Sequence, residues 1–267
     1  MRNCRSVSSY VICVPSVHGK RGRCIGFSQE GIRVKGKQKF SLLWVYLLIL
    51  GLFVVVSHLG SMATSAIAER IPVHREHTVV IDPGHGGEDG GAISVSGVPE
   101  SSLNLEISLR LRDMLQLLGY KTLMIRTTDR SVYTQSGSLA AKKISDLRQR
   151  VKTVNETDGA VLVSIHQNTF SDGRYSGAQV FYGPEGESRL LAEQLQQAFT
   201  EHLNPGSNRK SKRAEGVYLM QHIDCTGILV ECGFLSNLKE EASLRTPEYQ
   251  QKISAVVAAT LAGFLTK

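Results

Sequence analysis

From His77 to the C-terminus, short apolar runs alternate with stretches in which apolar residues recur every three or four positions. Thr78–Ile81 predicts a buried strand that ends at the breaker Asp82-Pro83-Gly84. Leu103, Ile107, Leu111, Met114 and Leu118 mark one face of a helix, with Gly119 as its stop. Lys121–Arg126 is the next strand, and residues 127–141 are polar and aperiodic, a loop expected to wall a groove. Ile144, Leu147, Val151 and Val154 give a second helix, followed by a central strand at Ala160–Ile165. Ala178–Tyr182 is a fourth strand, and Leu191, Leu195, Ala198 and His202 line a third helix. Val217–Met220 and Ile228–Val230 are read as short strands. Thr246-Pro247 then opens a last helix faced by Ile253, Val257, Leu261 and Phe264. This alternation predicts an α/β fold: one largely parallel, twisted sheet with helices on both faces. Ligand groups in such sheets gather at the carboxyl ends of the strands.

Upstream the pattern changes. Phe40–Val56 is almost free of polar atoms and is long enough for a spanning helix of roughly 17–25 residues. Arg33, Lys35, Lys37 and Lys39 precede it, which orients the N-terminus inward and the remainder outside the cytoplasm. The expected organisation is a basic tail at 1–39, a membrane signal anchor at 40–60, a linker at 61–76 and a single catalytic domain at 77–267. Cleavage near Ser61-Met62-Ala63, giving a secreted form, is the alternative.

Charge alters the picture in one respect. The net charge is +7, but residues 1–39 alone carry +8, so the domain itself is nearly neutral. A nucleic-acid partner is not expected, because that function needs a basic face on the folded domain. Three of the five cysteines, Cys4, Cys13 and Cys24, lie in the tail, and Cys225 and Cys232 are expected to be buried free thiols, with a disulfide between them as the alternative.

Four polar residues follow the predicted strands or head the first helix: His85, Glu100, His166 and Glu231. Each has an ordinary reading alone. A loop histidine is commonly solvated, and a carboxylate is favoured at a helix start by the dipole. A histidine after a strand is commonly a satisfied core residue. Glu231 is the exception, since an acid fed by Ile228-Leu229-Val230 into Cys232-Gly233-Phe234 is costly unless paired, metal-bound or catalytic. Together, two imidazoles and a carboxylate match the ligand set of a catalytic zinc site, with a further carboxylate for general base. The spacing alone leaves both accounts standing, for there is no compact HExxH pair.

The segments VVIDPGHGG (79–87), Glu100 to Asn104, SIHQN (164–168) and LVECGFLSN (229–237) resemble the zinc-dependent N-acetylmuramoyl-L-alanine amidases of the amidase-3 family. The resemblance implies one zinc ion on His85, Glu100 and His166, with Glu231 as catalytic base. It implies peptidoglycan glycan strands and stem peptides as substrate, and leaves room for an accessory or activator protein. SDLRQRVK (145–152), YSGAQVFYG (175–183) and KSKRAEGVYLMQH (210–222) are similar to the germination-specific branch of endospore formers. That branch implies action on spore cortex, as the first step toward muramic δ-lactam. Asn104, Asn168 and Arg213 are weaker candidates for binding substrate or orienting the ligands. Cys232 and Gln167 depart from the usual family pattern, and a thiol beside the base is expected to make the site sensitive to oxidation. The alternative function is a non-catalytic wall-binding or germination-complex protein on the same fold.

Overall fold

The structure is a computed structural model. It describes the backbone of residues 11–12, 25–26, 37–68 and 74–266, and the side chains of 43–59 and 76–266. The chain divides into two compact units, Met1–Ala66 and Ile67–Lys267.

In the first unit Val11–Ile12 (β1) pairs antiparallel with Ile25–Gly26 (β2), and Lys37–Ala68 forms one helix (α1). The helix contains the whole apolar run and continues into the segment expected to be linker, where Met62, Ala63, Ala66 and Ala68 favour helix. The expected membrane span is not recovered: among the described residues no helix is long and apolar enough to cross a membrane. The described side chains, 43–59, occupy roughly 25 Å of helix, against a hydrocarbon core of about 30 Å. Cys4, Cys13 and Cys24, most of the basic tail, and residues 69–73 of the linker lie outside the described residues.

The second unit is built on a six-stranded sheet. Its strands are His74–Pro83 (β3), Tyr120–Met124 (β4), Ala160–Asn168 (β5), Gln179–Tyr182 (β6), Lys212–Arg213 (β7) and Thr226–Phe234 (β8). They lie in the order β4-β3-β5-β8-β6-β7. All neighbours are parallel except β6 and β8, which are antiparallel. The exception has a simple cause. A parallel neighbour needs a crossover of a dozen or more residues, and only 169–178 separate β5 from β6. The chain therefore re-enters the sheet from the edge at which it left.

Alternation along the strands assigns the two faces. Val79, Ile81, Val163, Ile165 and Val230 face Glu100–Leu117 (α2), Glu187–His202 (α4) and Pro247–Leu265 (α7). Val80, Leu162 and Leu229 face Leu139–Asn155 (α3) and Tyr218–His222 (α5). The inward row of α2 is Leu103, Ile107, Leu111 and Leu115, with Met114 at its margin and Leu118 exposed. Each such fully buried side chain contributes about 1.5–3 kcal/mol of transfer free energy. Thr246 caps α7 by accepting from the Tyr249 amide, with proline in the first turn, as the sequence implies. Val217–Met220 is not a strand. A short apolar run fits one helical turn equally well, and α5 buries Leu219 and Met220 against the second face. Leu238–Leu244 forms a further helix (α6), begun by Asn237, whose side chain accepts from the Lys239 and Glu240 amides.

One inward position of α3 is a charge. Arg150 is 3% exposed and pairs with Asp82, itself 1% exposed, which also accepts from Ser164 Oγ at 2.6 Å. The same guanidinium donates to Asp146 at 2.5 Å and to the carbonyls of Pro83 and His85 at 3.0 and 2.8 Å. Arg126 holds the turn from the other side, donating to Pro83, Gly84 and Ser101 carbonyls at 2.9, 2.9 and 2.8 Å. The Pro83, Gly84 and His85 carbonyls lie at and just past the last residue of β3, where the ladder ends, so they need donors from elsewhere.

Burial alone would raise the Asp82 pKa, but the Arg150 charge and the Ser164 hydrogen bond outweigh it and hold it below the usual carboxylate value. A depressed folded-state pKa means stability present above the unfolded value and lost as pH falls through the folded one. Asp82→Asn should therefore cost about 3–5 kcal/mol at pH 6–8, the penalty for stranding a buried partner charge. In urea titrations the gap from wild type should shrink below about pH 4. A gap that persists unchanged at pH 3 would show that Asp82 acts through packing rather than charge.

Candidate metal centre

The turn after β3, the first residue of α2 and the end of β5 deliver His85, Glu100 and His166 to one point. One ligand atom from each can be chosen so that all lie within 4.8 Å of one another. His85 Nε2 is 3.3 Å from Glu100 Oε2, and His166 Nδ1 is 3.0 Å from Glu100 Oε1. His85 has φ of 61°, a left-handed conformation that side chains rarely adopt. Its carbonyl is gripped by Arg150, which holds the residue there against that preference. Gly84 is required because a Cβ would overlap the His166 imidazole, and at Gly91 a Cβ would come within 2.6 Å of Glu100 Oε2.

Glu100 is buried, and its carboxylate accepts from the Ala92 and Gln167 amides at 3.0 Å each and from Asn104 Nδ2 at 3.2 Å. Burial opposes its charge, yet hydrogen bonds and the fields of His166 and His85 hold its pKa far below the usual range. The outer nitrogen of His85, Nδ1, meets Asp89 Oδ2 at 3.0 Å, so a carboxylate fixes the ring and leaves Nε2 facing inward. Burial disfavours the imidazolium, but Glu100 and Asp89 together raise the His85 pKa.

The donor set fits a divalent metal. Two imidazole nitrogens and a carboxylate oxygen within 4.8 Å of one another are donor types that zinc takes. Two imidazoles and a carboxylate leave a position open, the pattern of catalytic zinc sites.

Glu231 stands beside this cluster. In the β5–β8 ladder it is the register partner of His166. Both residues sit inside their strands rather than just beyond them, as the pattern alone had suggested. Glu231 lines a cavity of about 210 Å³ that it shares with His85 and His166. Part of the residue meets solvent, but Oε2 is enclosed and has no hydrogen-bond partner among the described residues. Burial pushes its pKa up to about 7, against the lowering influence of His166.

The weaker candidates divide. Asn104 is buried in the cluster, bridging Glu100, the Gly84 carbonyl and Gln167. Asn168 pairs in register with Phe234 further along β5 and does not line the cavity. Arg213 is an exposed residue of β7, 3.7 Å from Glu185 beside a different depression, and is not brought to the cluster. Cys225 is half-buried and Cys232 buried, both free. Strand alternation turns Cys232 away from Glu231 into the first core, where burial raises its thiol pKa. The expected oxidation-sensitive thiol beside the base is thus an inert core residue. The expected 127–141 loop is shorter, because α3 already begins at Leu139; it packs on the turn through Ser131 Oγ to the Gly86 carbonyl at 2.6 Å, and through Asp129 to the Gly87 amide.

Asp89, Arg126 and Arg150 were missed in the sequence. Arg150 left a trace, since it falls on the inward face defined by Leu147, Val151 and Val154. Asp89 and Arg126 left none, because their partners are fixed only by the folded turn.

Residues 79–262 match the N-acetylmuramoyl-L-alanine amidase family profile. The chain is 37% identical over 191 residues to the germination-specific N-acetylmuramoyl-L-alanine amidase of Bacillus subtilis, covering 71% of this chain and 80% of that protein. The structure is similar to that of the CwlD amidase from Clostridioides difficile, determined in complex with the GerS lipoprotein. The TM-score is 0.69 at 31% identity, over 71% of this chain and 98% of that one. It is also similar to an N-acetylmuramoyl-L-alanine amidase from Clostridium difficile, with a TM-score of 0.62 at 26% identity, over 72% and 97%. Sequence, fold and comparison agree that the chain belongs to the N-acetylmuramoyl-L-alanine amidase family.

Proposed function

We propose that this chain hydrolyses the amide between N-acetylmuramic acid and L-alanine of peptidoglycan, with one zinc ion held by His85, Glu100 and His166. The observation that carries the reading is Glu231: a carboxylate with an unpartnered, enclosed oxygen, in one cavity with the two histidines. A pKa near neutrality suits a group that must take and return a proton in one cycle.

Zinc in this site would polarise the scissile carbonyl and bring a water within reach of deprotonation at neutral pH. Glu231 accepts a proton from the water as its oxygen adds to the lactyl carbonyl carbon. Glu231 then gives that proton to the nitrogen of L-alanine as the C–N bond breaks. The products are the lactyl carboxylate and a stem peptide with a free amino terminus. Asp89 fixes the His85 ring throughout, and Asn104 with the Ala92 and Gln167 amides fixes Glu100.

The setting belongs to the same proposal. The likeness to a germination-specific relative supports spore cortex as the substrate and muramic δ-lactam as the later product. The relative whose structure was determined in complex with a lipoprotein supports an accessory protein for this chain as well. An uncleaved anchor, with the catalytic unit outside the cytoplasm, is supported by α1, whose large apolar side chains from Leu43 to Leu59 are all exposed. The basic residues before it favour that orientation.

The full-length chain in mild detergent, given purified peptidoglycan, should release stem peptides beginning with L-alanine, read by mass spectrometry. A chelator should stop release and zinc restore it; chelator-resistant release, or cuts within the peptide, would overturn the reading. Glu231→Gln should keep one zinc per chain by elemental analysis while turnover falls roughly 10²–10⁴-fold. His85→Ala and His166→Ala should lose the metal first, so zinc content near one in either variant would remove that residue from the ligand set.

A further inference from the structure

A groove of about 750 Å³ opens on the flank of the sheet beyond Glu231, lined by Tyr175, Gln179, Arg209, Lys210 and Lys212 among others. Its nearest wall is one strand from the proposed base. Gln179 of β6 is the antiparallel register partner of Glu231, and directly opposed residues share a face of the sheet.

The groove is cationic. Its lining holds Arg174, Arg209, Lys210 and Lys212, and no carboxylate. Two acids nearby reduce this: Asp172 neutralises Arg174 at 2.6 Å, and buried Glu240 beneath Gly177 interacts with Arg209. Lys210 and Lys212 are exposed and have no ion-pair partner among the described residues.

Arg209 is built in. Its guanidinium lies over the Phe234 ring at 4.6 Å, Nε donates to the Ser176 carbonyl at 2.8 Å, and Nη1 donates to Gln179 Oε1 at 2.8 Å. Gln179 is fixed in turn by donating to the Lys210 carbonyl at 2.8 Å. Nη2 has no hydrogen-bond partner among the described residues. A guanidinium already immobilised with donors to spare loses little freedom on binding a planar anion, the usual reason arginine is used for carboxylates.

We propose that this groove is the subsite for the free carboxylates of the stem peptide, with Arg209 as principal ligand and Lys210 and Lys212 assisting. The proposal rests on the amidase reading above and deepens it. In the substrate the muramic carboxyl is consumed in the amide and the glycan is otherwise uncharged, so anionic groups lie on the peptide. Reach agrees: β6 and β7 stand about 4.8 and 9.6 Å from β8 at ordinary strand spacing. An extended peptide covers roughly 3.3–3.6 Å per residue, which sets the second and third stem residues over those two strands.

The test is calorimetric binding of an L-Ala–D-Glu–diamino acid tripeptide to the full-length chain, against the same peptide with its carboxyls converted to amides. The free-acid peptide should bind about tenfold more tightly, as charge-assisted hydrogen bonds do relative to neutral ones. The advantage should shrink in high salt and vanish in Arg209→Gln. Should that variant fail to fold, the exposed pair Lys210→Gln and Lys212→Gln together should still reduce the advantage. Equal affinity for the two peptides, no binding of either, or binding of a poly(glycerol phosphate) in place of the peptide would overturn the assignment. Turnover separates the two claims: peptidoglycan hydrolysis without carboxylate preference sinks only the subsite, and carboxylate-selective binding without hydrolysis sinks only the amidase.

Discussion

The catalytic unit depends on how two buried guanidinium groups hold one turn. Arg126 and Arg150 approach the 83–85 segment from opposite sides and supply the donors that its carbonyls lose on leaving the sheet. Asp82 compensates the Arg150 charge from within β3 itself. Hydrophobic packing could place the strands without this network, but it could not keep His85 in a left-handed conformation. Charge here gives conformational definition to a backbone that has no ladder of its own.

The sheet then divides the chemistry by face. Along β8, Glu231 looks into the cavity under α3 and α5, while Val230 and Cys232 look into the core under α2, α4 and α7. One residue of register separates a proton acceptor from an inert thiol. The antiparallel β6 brings the start of a strand, not its end, to the rim beside Glu231. That flank is thus made of the 169–178 loop and the residues around Arg209, where a parallel strand would have been followed by a helix.

Much of this was legible in the chain. Local apolar periods gave the main helices and strands, because each is set by which residues can be buried together over ten to twenty positions. The four residues of the centre stood out as polar groups at the ends of apolar runs, and Glu231 did so most clearly because its neighbours are so apolar. Short-range ambiguity hid α5, whose few residues satisfy a strand or a helical turn. Tertiary pairing hid Arg126 and Asp89, whose partners lie 42 and 4 residues away across a turn with no periodicity. Arg213, a candidate from the sequence, lies beside Glu185, whereas nearby Arg209 is fixed by stacking on Phe234.

Gly84 has a role that its own chemistry does not suggest. Nothing larger than hydrogen fits there while the His166 ring is present, since any Cβ would occupy the space of the imidazole. Positions 84 and 166 therefore form a single unit of evolutionary change. A descendant that abandoned the metal and shortened residue 166 would at once be free to fill position 84. A side chain arriving at 84 first would instead displace the imidazole, so the two positions can change without conflict only in that order.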